Sequence, residues 1–176
     1  VDRAAKSAPD GHTLVLSGDA ALVLTGGAYG VKPPYDTLRD LAPIAQLMIT
    51  PNVLVVANDV PARTVQELVA LVRSQPGKFS YSSGGIGFSQ HRAGELMNSM
   101  AGLDMVHVPY RGNSWPDVIT GRTQLLFGNI ALALPMVKDG KVRALAVTSS
   151  TRASAAPELP TVSESGLPGF ESLSWF

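Results

Sequence analysis

Ser83, Gly84, Gly85, Ile86 and Gly87 stand where a strand-like run, KFSYSS, gives way to a helical pattern, and they carry little side chain. Two chemistries suit such a junction. It can be a tight turn, in which glycine supplies backbone angles that other residues resist. It can also be an anion site, because bare backbone N–H groups and the positive end of the following helix attract negative charge without a charged side chain. Ser89 suits the helix N-cap and, after that, a ligand contact. His91 falls in the first helical turn. It either donates to a ligand oxygen or packs as a neutral ring, since a charged imidazole there would oppose the helix dipole. Gly85-Ile86-Gly87 is a poor dinucleotide fingerprint: Gln90 holds the third glycine position, and no acidic residue follows at the needed distance.

Other polar junctions have the same form. VPYRGNS places Tyr110, Arg111, Gly112, Asn113 and Ser114 between a strand and a helix, with Arg111 either a solvated loop residue or a ligand group. FGNIA places Gly128 and Asn129 likewise, and SGDAA, with Asp19 and Ala20, is a further case in the first part of the chain. If the strands run parallel, the junctions after KFSYSS, DMVHVPY and TQLLFGN share one sheet edge, where ligands of open α/β sheets bind. Together they offer hydroxyls, amides and a guanidinium, a set suited to a polar anion. Reactive constellations are missing. His12, His91 and His107 lack metal-ligand spacing, Ser83 lacks a nucleophile-elbow context, and no carboxylate pair is placed for acid–base work. His107 alternates with Val106 and Val108, which reads as a structural position. No catalytic residue, metal or cofactor is assigned.

The elements that must position these residues follow from periodicity. Residues 1–9 read as the tail of a helix, PDGH as a turn and TLVLSG as a strand. YGVKPPYD is a proline-rich loop. PNVLVVANDV is a buried strand. Thr64 caps a helix in which Val65, Leu68, Val69 and Val72 share a face, and Pro76-Gly77 ends it. The helix after the glycine loop carries Ala93, Leu96, Met97, Met100 and Ala101 at helical spacing and closes at Gly102. DMVHVPY, TQLLFGN and KVRALAVTSS are further strands, separated by the helices SWPDVITG and ALALPMVKDG, the latter kinked at Pro135. Strands alternating with helices predict parallel pairing and right-handed crossovers. Residues 151–176 read as irregular surface chain ending in a strand.

Composition sets the class. The 176 residues are 45% hydrophobic and 16% charged, with fourteen basic and fourteen acidic residues, which describes a globular chain of one or two domains in which no basic face for nucleic acid stands out. The absence of cysteine excludes disulfides and thiolate metal sites. No apolar run reaches the roughly 20 residues of a membrane span. The chain starts at Val1 and stops on Trp175-Phe176, so both ends are expected to be cuts in a longer protein.

APDGHTLVL, SSGGIGFSQHRAGELM, DMVHVPYRG, QLLFGN, KVRALAVTS and LPTVSESGLPGFESLSWF, in that order over nearly the whole chain, resemble the extracytoplasmic solute receptors of the tripartite tricarboxylate transporters, the Bug-type proteins. The resemblance implies an α/β fold of the type II periplasmic-binding-protein kind, a parallel or mixed sheet with helices on both faces. It implies a partial first domain at residues 1–56, a complete second domain at 57–165 and a return segment at 166–176. It also implies a periplasmic receptor that closes on a small carboxylate and passes it to membrane permease subunits. The ligand would be held by backbone N–H groups and waters at one loop per domain. Ser83, Gly84, Gly85, Gly87, Phe88, Ser89 and His91 match the second-domain loop. Tyr110, Arg111 and Gly112 match the tyrosine-basic-glycine turn, and Asn129, Asp19 and Ala20 complete the candidate ligand set. Phe88 departs from a small polar residue, Arg92 from leucine, and Gly128 from an aspartate, which would remove a charge near the cleft. Exposed edges of the partial domain are expected to favour self-association. The rival reading is a cytoplasmic α/β enzyme with a glycine-rich cofactor or anion loop.

Overall fold

The computed structural model describes residues 1–24 and 33–176, so residues 29–32 of the expected proline-rich loop lie outside the described residues. The chain divides into two compact units: unit 1 is Val1–Ile49 with Ser174–Phe176, and unit 2 is Thr50–Leu173. These breaks differ from the expected ones at 56 and 165. The strand β1 (Ile49–Val56) pairs from Asn52 to Val56 with strands of unit 2, and the tail up to residue 173 belongs to the same unit.

Unit 2 is built on β1, β2 (Ser80–Ser83), β3 (Val106–Pro109), β4 (Leu125–Asn129) and β5 (Arg143–Val147), in the spatial order β3-β2-β4-β1-β5. β2 is parallel to both β3 and β4, whereas β1 is antiparallel to both β4 and β5. β2, β3, β4 and β5 therefore point one way and β1 runs against them. The sheet is mixed, as the fold class allowed: the strands of residues 64–150 share one direction, as their alternation with helices predicts, and β1, which precedes that run, is the reversed one, because side-chain alternation reports which face a residue occupies, not which way its strand runs. A short β6 (Leu173–Trp175) pairs with β1. Val53, Leu54, Val55 and Val56 are fully buried, which is why this β-branched run reads so plainly as a central strand.

Helix α3 (Val65–Arg73) forms as its sequence dictates. Glu67 N–H donates to Thr64 Oγ1 at 3.1 Å and Arg63 N–H donates to Glu67 Oε2 at 2.7 Å, a reciprocal cap, while Val65, Leu68 and Val72 are buried. Helix α4 (Ser89–Ala101) ends at Gly102 with left-handed angles. Gly94 of α4 lies so close to the Tyr81 ring that a Cβ there would sit 2.2 Å from it. Helix α5 (Trp115–Ile119) packs on the other face, with the Trp115 indole against Gly128. Register separates the faces: Tyr81 pairs with Leu125, Ser82 with Leu126, and Gly128 falls on the Leu126 side. Helix α6 (Ile130–Lys138) runs through Pro135, which lacks the N–H that its turn would otherwise donate. The tail is irregular but anchored. Thr161 bridges to Val147, Thr148 Oγ1 donates to the Ser172 carbonyl at 2.6 Å, and Val162 and Phe170 are buried.

Unit 1 contains helix α1 (Asp2–Ala5), a π-helical turn (Ala20–Leu24) and helix α2 (Thr37–Asp40), which Asp36 caps by accepting from the Leu38 and Arg39 amides. TLVLSG is not a strand here: residues 12–18 have no regular structure, and Leu14 and Leu16 are exposed. A strand pattern becomes a strand only when a neighbour accepts its hydrogen bonds. Phe176 exchanges backbone hydrogen bonds with Met48, and its ring covers Gly18.

Candidate functional site

The parallel run of β2, β3 and β4 brings their carboxyl ends to one edge, so the junctions at Ser83, Tyr110 and Asn129 share it. The first two touch. Tyr110 N–H donates to the Ser83 carbonyl at 2.9 Å, and a Cβ built on Gly84 would lie 3.5 Å from the Gly112 carbonyl oxygen. Gly85 and Gly87 have φ of 146° and 84°, angles that side chains resist, so the turn reading of these glycines is correct as far as it goes.

The loop amides are not free, however. Gly84 N–H donates to Gln90 Oε1 at 2.6 Å, Gly85 N–H to Ser83 Oγ at 3.1 Å, and Gly87 N–H to His91 Nδ1 at 3.0 Å. This corrects the expectation of unobstructed N–H groups at these glycines: Gln90 and His91 of the first helical turn reach back to Gly84 and Gly87, and Ser83 at the end of β2 takes the Gly85 amide. Ser89 is not the N-cap. Phe88 holds that position, and Ser89 is the buried first residue of α4. Among the described residues, none accepts a hydrogen bond from the amides of Ser89, Gln90 or His91. These three donors, at the positive end of a thirteen-residue helix, are the ones the loop leaves for an acceptor.

His91 presents Nδ1 as an acceptor, so its hydrogen sits on Nε2. Its ring stacks on His107 with centroids 4.1 Å apart, and His107 stacks in turn on Tyr81 at 4.9 Å. Burial above all, and the neighbouring His91, pull His107 down to about 4, against an upward pull from Glu95. Tyr81 donates its hydroxyl to Glu95 at 2.6 Å, and burial plus that bond hold its phenol above the ordinary range. His107 Nε2 lies 2.6 Å from Ser83 Oγ. The pair superficially suggests a base and a nucleophile. Yet Ser83 is buried with its oxygen also bonded to Gly85, and the nearby carboxylate of Glu95 serves Tyr81 rather than the imidazole.

The remaining candidates differ in what they have to offer. Phe88 and Ile86 are exposed at the mouth, 48% and 42%, and the Phe88 ring lies over Gly85. Arg111 is exposed and has no ion-pair partner among the described residues, and Gly112 is exposed beside it. The Tyr110 hydroxyl is committed to the Asp117 carboxylate, a bond that raises its pKa, so it is not an idle ligand group. Asn129 caps α6 through Ala131 N–H and donates to Thr50 Oγ1 at 2.6 Å. Asp19, buried, and Ala20 belong to unit 1. Gly128 is explained by packing: a Cβ there would meet the Trp115 ring at 2.4 Å, so the departure fills the space with indole on the face opposite Tyr81. Arg92 donates to the Leu173 carbonyl at 2.9 Å.

Sequence reading missed Gln90 and His107 as loop supports, and Asn52 at the same edge. Asn52 is buried, its side-chain amide has no partner among the described residues, and it pairs with Asn129 across β1 and β4. Strand register, which a single sequence does not report, brings His107 and Asn52 into place, while Gln90 bends back from the helix onto its own loop. A separate concavity of about 500 Å³, lined by Asp59, Arg63, Glu67 and Arg143 among others, lies at the opposite end of β1. The Arg143 guanidinium is spent on the carbonyls of Val60, Ala62 and Asn58. Among the described residues no group of three or more potential metal ligands converges, and no helix is long and apolar enough to cross a membrane.

This architecture is that of periplasmic binding proteins. The structure of R. palustris Rpa4515 with adipate matches with a TM-score of 0.87 at 29% identity, covering 99% of this chain and 59% of that one. MatC (Rpa3494) from Rhodopseudomonas palustris with bound malate matches at 0.82 and 29%, covering 99% and 60%. Among curated relatives, the UPF0065 protein in the tcbD-tcbE intergenic region of Pseudomonas sp. (strain P51) is 38% identical across 99% of this chain and 52% of its own length. BugT of Bordetella pertussis (strain Tohama I) is 32% identical across 99% and 54%. The chain spans about half the length of the curated relatives it matches. Residues 1–176 match the family described as the tripartite tricarboxylate transporter family receptor, and the chain belongs to that family.

Proposed function

We propose that this chain forms part of a non-catalytic periplasmic receptor that captures a small carboxylate and delivers it to the permease subunits of a tripartite tricarboxylate-type transporter. The observation that carries this reading is the cluster of amides of Ser89, Gln90 and His91 at the start of α4, without acceptors among the described residues, beside the exposed Arg111 loop. Such donors, aligned with a helix dipole, favour an anion. Adipate and malate in Rpa4515 and MatC support the ligand class. Asn52, buried and without a side-chain partner among the described residues at the same sheet edge, supports a polar guest there. The exposed apolar residues of unit 1 are proposed as the cause of self-association in the isolated chain.

Melting of the intact receptor in the presence of malate or adipate tests the reading. The diacid raises the melting temperature, and the corresponding diamide does not, because binding to the native state alone stabilises it. Equal shifts from acid and amide, or none from any small carboxylate in a panel, would overturn it.

A further inference from the structure

A loop with three glycines has many conformations available, and something must select one of them. Burial of bulky side chains does little of this, since Ile86 and Phe88 are exposed even though the Phe88 ring lies over Gly85. The selection is made by acceptors: Ser83 Oγ takes the Gly85 amide and His91 Nδ1 takes the Gly87 amide. Both acceptors lean on one residue. His107 reaches Ser83 Oγ with Nε2 at 2.6 Å, and its ring lies flat against the His91 ring at 4.1 Å. Its other face rests on Tyr81, which Glu95 fixes from α4.

We propose that His107 is the positioning residue of the glycine loop, holding Gly85 through Ser83 and Gly87 through His91, and thereby presenting the first-turn amides of α4 to the ligand. The proposal rests on the carboxylate reading for its consequence in affinity, but not for its geometry. The polar groups facing the two rings are Glu95 and Tyr81, and Arg92 of the same helix turns its guanidinium to the Leu173 carbonyl. Charge near the stack is therefore largely taken up by other partners, and His107 acts on the loop through contact and hydrogen bonding.

The two arms of His107 can be cut separately in the intact receptor. His107→Phe keeps a stacking ring and loses the Ser83 bond. His107→Gln keeps a hydrogen-bonding group and loses the stack. Amide hydrogen exchange read by NMR should show Gly85 exchanging about tenfold faster in the first variant with Gly87 little changed, and the converse in the second. Ser83→Ala, a gentler change, should reproduce the Gly85 effect alone. Affinity for malate or adipate, whichever the wild type binds, should fall about tenfold in His107→Phe, with Ser83→Ala/His107→Phe no weaker than the single variant. Uniform acceleration across β3 and α4, or strictly additive losses, would reduce His107 to a general packing residue and overturn the proposal. A wild-type receptor that binds no carboxylate would refute the functional reading, while the exchange data would still decide the role of His107.

Discussion

Leu54 and Leu38 are the same side chain under opposite conditions. Leu54, in β1, has no exposed surface, whereas Leu38, in α2, is 95% exposed. The contrast holds for their neighbourhoods. Unit 2 closes a sheet between helices on both faces and buries Tyr81, Phe127, Met97 and the β1 run. Unit 1 leaves Leu14, Leu16, Val23, Ile44 and Leu47 in water. A unit of about fifty residues shields only a modest fraction of its chain, and apolar residues gain nothing from an ordered helix that has no opposing layer. Where the layers are complete, sequence pattern and burial agree. Where they are not, the same pattern yields turns and exposed apolar surface.

The largest expected effect tests that contrast directly. Leu54→Ala should cost about 3 kcal/mol in denaturant melts, since it removes buried methyl groups and leaves a cavity, while Leu38→Ala should stay within about 0.5 kcal/mol. Comparable losses would show that unit 1 has a buried core after all. Gly128→Ala comes next, at about 1–3 kcal/mol, because its methyl would overlap the Trp115 ring. Trp115→Phe in the same chain should recover part of that loss, and failure to do so would separate Gly128 from the indole.

A smaller effect appears with pH. The folded state holds His107 at about 4, below its ordinary 6.5, so in acid the unfolded chain takes up the proton first. This contribution is complete above about pH 6.5 and is lost as pH falls toward 4. His107→Phe should flatten the acid side of the melting-temperature profile, and an unchanged slope would remove His107 from it. The smallest change is Thr64→Ala, expected to lower stability by about 1 kcal/mol through loss of the α3 cap. A neutral result would mean that water replaces the hydroxyl at no cost.

Much of unit 2 was legible because its signals are local. Thr64, the Val65-Leu68-Val72 stripe, Gly102 and the β1 run each act within a few residues of themselves. The glycine loop was legible as a place but not as a mechanism. Gln90 and His91 bend back onto it, which spacing permits but does not reveal, and His107 arrives from another strand through the pairing of Tyr81 with His107. The reversed direction of β1 was hidden for the same reason, since pairing partners far apart in the chain leave no periodic trace. TLVLSG misled because alternation announces a capacity for pairing, and no partner strand meets it among the described residues.

Pro109 ends β3, the outermost strand on its side of the sheet. The amides of Val106 and Tyr110 turn inward to β2, so those of the alternate positions, 107 and 109, face outward. Proline has no hydrogen to offer at the second of these, which leaves His107 as the single β3 residue able to donate to an incoming strand. The border of the sheet is thus poor in donors: another chain laid along it would find one amide hydrogen where a ladder needs several, and the proline that precedes the Tyr110 turn blunts this margin against copies of itself.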